Sequence, residues 1–134
     1  MLELASFGKV IGLLKESMDW YRDESAVAPR EILRDSVIQR FEYTYELAWK
    51  MMKRWLEINI GASYVDGISR KELFRMAAEQ RLIDDPVKWF EYHEARNQTS
   101  HIYDESVAQD VFNVVGSFLD DVKKFFKTLE KHND

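Results

Sequence analysis

The sequence predicts an all-α fold, an antiparallel up-and-down bundle of four helices with one additional short helix. Apolar residues recur at steps of three and four along most of the chain, which is the period of a helix with one buried face. No stretch alternates with the period of two that a half-buried strand needs. Proline and glycine number only 2 and 5 among 134 residues, which leaves little material for hairpins or linkers. We therefore expect one helical domain spanning residues 1–134.

The first two predicted helices are joined by a short loop at residues 25–28. The first helix spans about residues 4–23, and the second begins at Pro29, whose missing N–H and fixed φ suit a first helical turn. The second helix should run to Ile60 and end at Gly61 as a left-handed C-cap. The apolar stripes are Phe7, Val10, Ile11, Leu14, Met18 and Tyr21 in the first helix, and Ile38, Phe41, Tyr45, Ala48, Met52 and either Trp55 or Leu56 in the second.

Charged residues of the second helix lie off its apolar stripe. They are Asp35, Arg40, Glu42 and Glu46. Charges three or four residues apart on a helix are neighbours, and they can form ion pairs or remain solvated. We expect a solvated or ion-paired face. The alternative is a partner-binding surface, because aromatic side chains flank this helix on both sides.

Capping signals mark the starts of the next two helices. Residues 62–68 form a connector, after which Ser69 and Glu72 have the spacing of a capping box that starts a short helix. An Asp85 N-cap followed by Pro86 starts another helix. The short helix should end near residue 79, and the helix after it near residue 96 or slightly beyond.

The last predicted helix has the most regular apolar stripe in the chain. Asp104 is the expected N-cap for it. The residues that we expect to be buried are Val107, Val111, Val114, Phe118, Val122, Phe125 and Leu129. Their three- and four-residue steps predict one long helix that packs along the bundle.

Composition narrows the class of protein. Lys and Arg number 19 against 24 Asp and Glu, and the net charge of -5 argues against an indiscriminate nucleic-acid coat while leaving room for a local basic cleft. The absence of cysteine excludes disulfides and thiolate zinc sites. There is no secretory pattern and no run of about 18 apolar residues. We therefore expect a cytoplasmic protein without a membrane segment.

One short stretch, residues 96–103, concentrates chemically active side chains. Arg96 supplies a planar, permanently charged fork that suits phosphate. His101 is the type of side chain whose pKa lies near neutrality, so it can take or give a proton. Asn97 and Tyr103 add an amide and a phenol. The set suits phosphate chemistry, but an Arg and a His at this spacing alone more often serve a structural role.

The spacing itself sets a geometric condition. Five residues along an α-helix rotate by about 500°, so Arg96 and His101 would point roughly 140° apart on a continuous helix. They converge only if the helix ends or distorts near residues 98–101, or if two copies of the chain meet. The Asp104 N-cap supports a helix break just before it.

The sequence lacks the residues that other catalytic chemistries need. The sequence has no Gly-rich phosphate loop and no GxSxG motif. His93 and His101 are too far apart for a metal pair on one helical face, and Asp84 with Asp85 is better explained by helix capping. We expect neither a metal nor a cofactor.

Two stretches together resemble a known family. Residues 38–50 read Ile-Gln-Arg-Phe-Glu-Tyr-Thr-Tyr-Glu-Leu-Ala-Trp-Lys, and they are followed by Trp89 and by Arg96-Asn97-x3-His101-x-Tyr103. This combination resembles the nucleotidyltransferase substrate-binding protein family, within the HEPN superfamily. The likeness covers nearly the whole chain in length, helix order and motif placement.

The resemblance implies a compact helical homodimer that acts with a small, minimal-type nucleotidyltransferase encoded nearby. In one interpretation the protein is a metal-independent ribonuclease toxin, with Arg96 and His101 catalytic and Asn97 supporting them. The partner then silences it by adenylylating Tyr103. In the other interpretation the protein is a non-catalytic subunit that presents a nucleotide or acceptor substrate to the partner. A homodimer whose polar cluster only satisfies a helix end is the third possibility.

Overall fold

The computed structural model describes residues 2–133, and all regular structure in that range is helical. Its elements in order are α1 (Ala5–Arg22), α2 (Arg30–Asn59), α3 (Ala62–Val65), α4 (Arg70–Glu79), α5 (Pro86–Gln98), a 3₁₀ turn (Thr99–His101) and α6 (Glu105–Lys131). The long helices α1, α2, α5 and α6 form the bundle, and α4 packs against α2 and α5. The predicted all-α helical bundle is therefore confirmed. None of the helices described within residues 2–133 has the length and apolar character needed to cross a bilayer.

The predicted helix caps are present. The Ser69 hydroxyl accepts a hydrogen bond from the Glu72 N–H at 3.1 Å. Asp85 accepts from the Val87 N–H at 2.9 Å, and Asp104 accepts from two N–H groups of α6 at 3.0 and 3.3 Å. Each cap satisfies donors that the first helical turn leaves without partners. These local contacts explain why sequence patterns located the starts of α4, α5 and α6 correctly.

Some helix boundaries differ from the expectation. Pro29 is the N-cap of α2 and not its first helical residue, because its ψ of 140° is extended. Gly61 has a positive φ of 129°, but its ψ of 136° lies outside the left-handed helical region. The predicted connector contains the single-turn helix α3, which allows Val65 to be buried. Beyond the end of α4, Arg81 has a φ of 63°, and the Leu82 N–H donates to the Ala77 carbonyl at 2.9 Å.

The structure decides the open choice between two residues of α2. It also finds only partial burial at four predicted core positions, two of them in α1, Val10 and Tyr21. Leu56 and not Trp55 completes the buried stripe of α2. In α6, Val115 is fully buried, whereas Val107 and Val114 are only partly buried. The buried face of α6 is therefore rotated by about one residue relative to the predicted stripe at that point, because it must face both α2 and α5.

The centre of the bundle is a cluster of aromatic rings around Phe118 of α6. The centre of its ring lies 4.9 Å from the ring centre of Phe41 and 6.5 Å from that of Tyr45, both on α2. It also lies 5.8 Å from Trp89 and 5.2 Å from Tyr92, both on α5. Most of these pairs are edge-to-face, the arrangement that the ring quadrupoles favour. One side chain thus sets the separation of the three helices that carry the site described below.

The register of α6 gives a direct test of the packing. Val115→Ala should lower the free energy of unfolding by about 2 kcal/mol, because two buried methyl groups are lost and a small cavity remains. The matched variant Val114→Ala should lower it by well under half as much, since Val114 is only partly buried. Chemical denaturation of the two variants measures the difference, and equal losses would contradict the register.

Candidate functional site

The chain leaves the α-helical path where the sequence predicted a break. Helix α5 ends at Gln98, and the 3₁₀ turn carries the chain to His101. The buried Thr99 stabilises this change, since its hydroxyl donates to the Arg96 carbonyl at 2.8 Å. The Asp104 N–H then donates to the His101 carbonyl at 3.1 Å. A helix end, a 3₁₀ turn and a helix start therefore follow one another within a few residues.

A buried arginine holds the far end of this turn. The Arg34 side chain on α2 is only 7% exposed, and its Nη2 lies 3.2 Å from the Glu105 Oε2. Its Nη1 contacts the other oxygen of Glu105, so the pair is bidentate. The same contact lowers the pKa of the Glu105 carboxyl below its ordinary value. Because Glu105 is the first residue of α6, the pair fixes the start of that helix against α2.

The Arg96 guanidinium is directed at α2. Its Nε donates to the Glu46 Oε1 at 2.7 Å, and its Nη2 lies 3.7 Å from the Glu42 Oε1. The second Glu46 oxygen accepts from the Trp49 indole N–H at 3.0 Å. The charged face predicted for α2 is thus ion-paired at these two carboxylates. Their partner comes from a helix about fifty residues further along the chain.

The structure brings some of the predicted site residues together and leaves others apart. The rings of His101 and Tyr103 are 6.4 Å apart, and the Tyr103 side chain is 87% exposed. His101 and Asn97 are also exposed, whereas Arg96 is partly buried beside α2. Within the described part of the chain, neither an ion pair nor a hydrogen bond joins Arg96 to His101. The helix break alone does not unite these two side chains.

A second polar cluster adjoins this site, and sequence patterns missed it. The Tyr45 hydroxyl is 2.8 Å from the His93 Nδ1, and the Arg70 Nη1 donates to the same hydroxyl at 3.3 Å. Because Arg can only donate, the Tyr45 oxygen accepts from Arg70, and its own proton is free to be donated to the His93 Nδ1 when that nitrogen is unprotonated. His93 then carries its proton on Nε2 as a neutral donor.

The ionisation of this cluster follows from its surroundings. Burial raises the pKa of the Tyr45 phenol to about 12, so the phenol stays protonated at neutral pH. Burial, followed by the nearby charge of Arg70, lowers the pKa of His93 below its ordinary value. His93 lies three residues before Arg96 on α5, so helical spacing could have indicated a shared face. Tyr45 gave no such signal, because its position belongs to the apolar stripe.

Stacking connects the two clusters. The Arg70 guanidinium lies 3.6 Å from the centre of the Trp49 ring, and Trp49 in turn holds Glu46. The contact pairs a cation with the aromatic face that attracts it. Polar side chains therefore form a continuous row from α4 across α2 to the end of α5.

A cavity of about 430 Å³ lies at the opposite end of α5. We call it the lysine cavity, because Lys88, Lys124, Lys127 and Lys131 line it together with Asp84, Asp85, Asp121 and the ring of Trp89. The Tyr92 hydroxyl contacts the Asp121 carboxylate, and burial, followed by that contact, raises the pKa of the phenol. Over residues 2–133, no three His, Asp or Glu side chains are grouped so as to hold a metal ion.

Comparison with known proteins defines the class to which this helical bundle belongs. Residues 2–131 match the family described as nucleotidyltransferase substrate binding protein like. The chain belongs to this family, which confirms the resemblance carried by residues 38–50 and by the stretch that begins at Arg96.

Individual relatives agree with the family. The chain is 33% identical over 116 residues to the probable ribonuclease HepT of Haemophilus influenzae. The aligned residues cover 86% of this chain and 79% of that protein. A solved Haemophilus influenzae protein, described as having the fold of a substrate binding domain of a nucleotidyltransferase, is 30% identical with a TM-score of 0.90 over 96% of this chain and 99% of that one. A crystal structure from Thermus thermophilus is 29% identical with a TM-score of 0.76, covering 92% and 98% of the two chains.

The Tyr45, His93 and Arg70 cluster makes a prediction about pH. The pKa of His93 should lie below 6.5 in the folded protein, and Arg70→Gln should raise it towards 6.5 by removing a positive charge while keeping a donor for Tyr45. Since the unfolded chain binds this proton more readily, the free energy of unfolding should fall as the pH drops below about 6.5. An NMR titration of the ring protons measures the pKa, and an unshifted value in Arg70→Gln would contradict the assigned cause.

Proposed function

We propose that this protein is the HEPN ribonuclease component of a two-component system, a toxin that cleaves cytoplasmic RNA without a metal ion. A minimal-type nucleotidyltransferase, encoded nearby, neutralises it by adenylylation. The observation that carries the proposal is the exposed His101 on a 3₁₀ turn, with Tyr103 beside it and Arg96 at the end of the preceding helix. Homology to a probable ribonuclease supports it.

The proposed cleavage is a transesterification. His101 removes the proton of an RNA 2′-hydroxyl, and the 2′-oxygen attacks the adjacent phosphorus. The bond from phosphorus to the 5′-oxygen breaks, and a protonated His101 donates a proton to that leaving oxygen. The products are a 2′,3′-cyclic phosphate and a 5′-hydroxyl. Arg96 neutralises the charge that develops on the phosphate oxygens, and Asn97 donates a hydrogen bond to one of them.

A homodimer completes the proposed site. One step needs a base and the next an acid, and a pair of His101 residues from two protomers can supply both. Two copies of Arg96 would also bring two guanidinium groups, each able to bind phosphate, to one cleft. The separation of Arg96 from a direct His101 contact within one chain supports this need for a second copy.

Adenylylation of Tyr103 is the proposed means of control. The phenol oxygen attacks the α-phosphorus of ATP on the partner enzyme, pyrophosphate leaves, and the phenol proton passes to a base of that enzyme. The side chain is 87% exposed, so the partner can reach it without unfolding the chain. The attached AMP adds a negative charge to a side chain whose ring centre lies 6.4 Å from that of His101, where it would repel the RNA backbone.

The first test measures RNA cleavage. The unmodified wild-type protein should produce fragments that end in a 2′,3′-cyclic phosphate, and Arg96→Ala and His101→Ala should each lower the rate by about 100-fold or more. Thermal unfolding of both variants controls for folding. Absence of cleavage by the wild type, or equal cleavage by His101→Ala, would contradict the ribonuclease.

The second test follows the modification. Incubation with the partner nucleotidyltransferase and ATP should increase the intact mass by one or more adenylyl groups, with loss of RNA cleavage. Tyr103→Phe should take up no such group and should stay active in the presence of the partner. An unchanged mass in the wild type would contradict control by adenylylation.

A second candidate function is a non-catalytic substrate-binding subunit of a two-subunit nucleotidyltransferase. The lysine cavity favours it, because about 430 Å³ lies within the usual range for small-molecule sites and its lysines suit a nucleotide phosphate. In that case Lys124→Ala combined with Lys127→Ala would abolish nucleotide binding, measured by calorimetry. His101→Ala would leave it unchanged.

A further inference from the structure

We propose that two carboxylates one helical turn apart on α2 have opposite effects on Arg96. Glu46 positions the guanidinium for phosphate, and Glu42 restrains it by competing for the edge that phosphate would occupy. This inference rests on the proposed ribonuclease function. In it, Glu46 is a positioning residue and Glu42 makes an inhibitory contact.

Glu46 is held from two directions. Its Oε1 accepts from the Arg96 Nε at 2.7 Å, and its Oε2 accepts from the Trp49 indole N–H at 3.0 Å. Both oxygens therefore have a donor, and the carboxylate cannot rotate without losing one of them. Because Glu46 uses only the Nε of Arg96, it orients the guanidinium and leaves the edge formed by Nη1 and Nη2 for a bidentate phosphate contact.

Glu42 makes a looser contact with one of these two nitrogens, Nη2. Its Oε1 lies 3.7 Å from the Arg96 Nη2, beyond hydrogen-bond distance, and its side chain is 41% exposed. Over residues 2–133 no hydrogen bond to the Glu42 carboxylate is found that would fix it elsewhere. A negative charge at this position attracts Arg96 and repels an incoming phosphate. RNA must therefore displace Glu42, whereas it can bind with Glu46 in place.

Glutamine substitutions separate the two roles, because glutamine keeps the shape of glutamate and removes its charge. At residue 46 the change has a second consequence. The amide has one accepting oxygen and one donating NH₂ group, so it cannot accept from both Arg96 and Trp49. Glu46→Gln must lose one of the two contacts. Trp49→Phe removes the competing indole donor but keeps an aromatic ring, so the double variant lets the amide oxygen face Arg96 again.

The experiment compares steady-state RNA cleavage by the wild type, Glu42→Gln, Glu46→Gln and the double variant Glu46→Gln with Trp49→Phe. Glu46→Gln should lower kcat about tenfold or more with little change in KM, because Arg96 is no longer oriented in the transition state. The double variant should recover part of that loss. Glu42→Gln should lower KM by about threefold to fivefold at low ionic strength, and the gain should shrink as salt screens the charge.

Several outcomes would overturn the assignment. Equal decreases in KM for Glu42→Gln and Glu46→Gln would mean that only net charge matters. Equal losses of cleavage activity with lowered thermal stability would mean that both carboxylates are structural. A double variant no better than Glu46→Gln would remove the positioning role.

Failure of the ribonuclease itself is distinguishable. If the wild type cleaves no RNA, the same variants are compared for binding to an oligonucleotide with a 2′-deoxy group at each position. Tighter binding by Glu42→Gln together with little change in binding by Glu46→Gln then supports the two roles. Any other pattern, including no binding, overturns them.

Discussion

The packing of aromatic rings on Phe118 determines the geometry of everything that surrounds it. Rings from α2 and α5 pack on its edge or face, and this packing sets the distance between the two helices. That distance allows Arg96 on α5 to bind Glu46 on α2. Two of these rings, Tyr45 and Tyr92, also carry hydroxyl groups that contact polar side chains on two sides of the aromatic cluster. Tyr45 contacts His93 and Arg70, and Tyr92 contacts Asp121, which lines the lysine cavity. The apolar centre and the polar row are therefore parts of one arrangement.

The bundle could be predicted because its signals are local. A cap such as Asp104 or Ser69 acts within three residues, and an apolar stripe is defined by the helix that carries it. The exact burial of α6 could not be predicted in the same way. Whether Val114 or Val115 is buried depends on the rotation of α6 against two other helices, and no pattern within α6 contains that information.

The same difference between local signals and contacts between distant residues applies to the candidate site. The helix break between Arg96 and His101 was predictable from rotation and from the Asp104 cap, and it is present. The partners of Arg96 were not predictable, because Glu46 lies fifty residues earlier in the sequence and was one of several charges on an exposed face. Tyr45 illustrates the limit most clearly, since one residue serves the core with its ring and the polar cluster with its hydroxyl.

The 3₁₀ turn also bears on how this segment can vary in length. The Arg34–Glu105 ion pair fixes the start of α6, and the hydrogen bond of Thr99 fixes the turn to the end of α5. The segment between them is therefore constrained at both ends. Adding or removing one residue between Arg96 and His101 would rotate His101 by roughly 100° relative to α5. The connector at residues 62–68 is held by the buried Val65 and the Ser69 cap, and none of the ion pairs found over residues 2–133 involves it. Insertions and deletions should therefore be tolerated before α4 and selected against between α5 and α6.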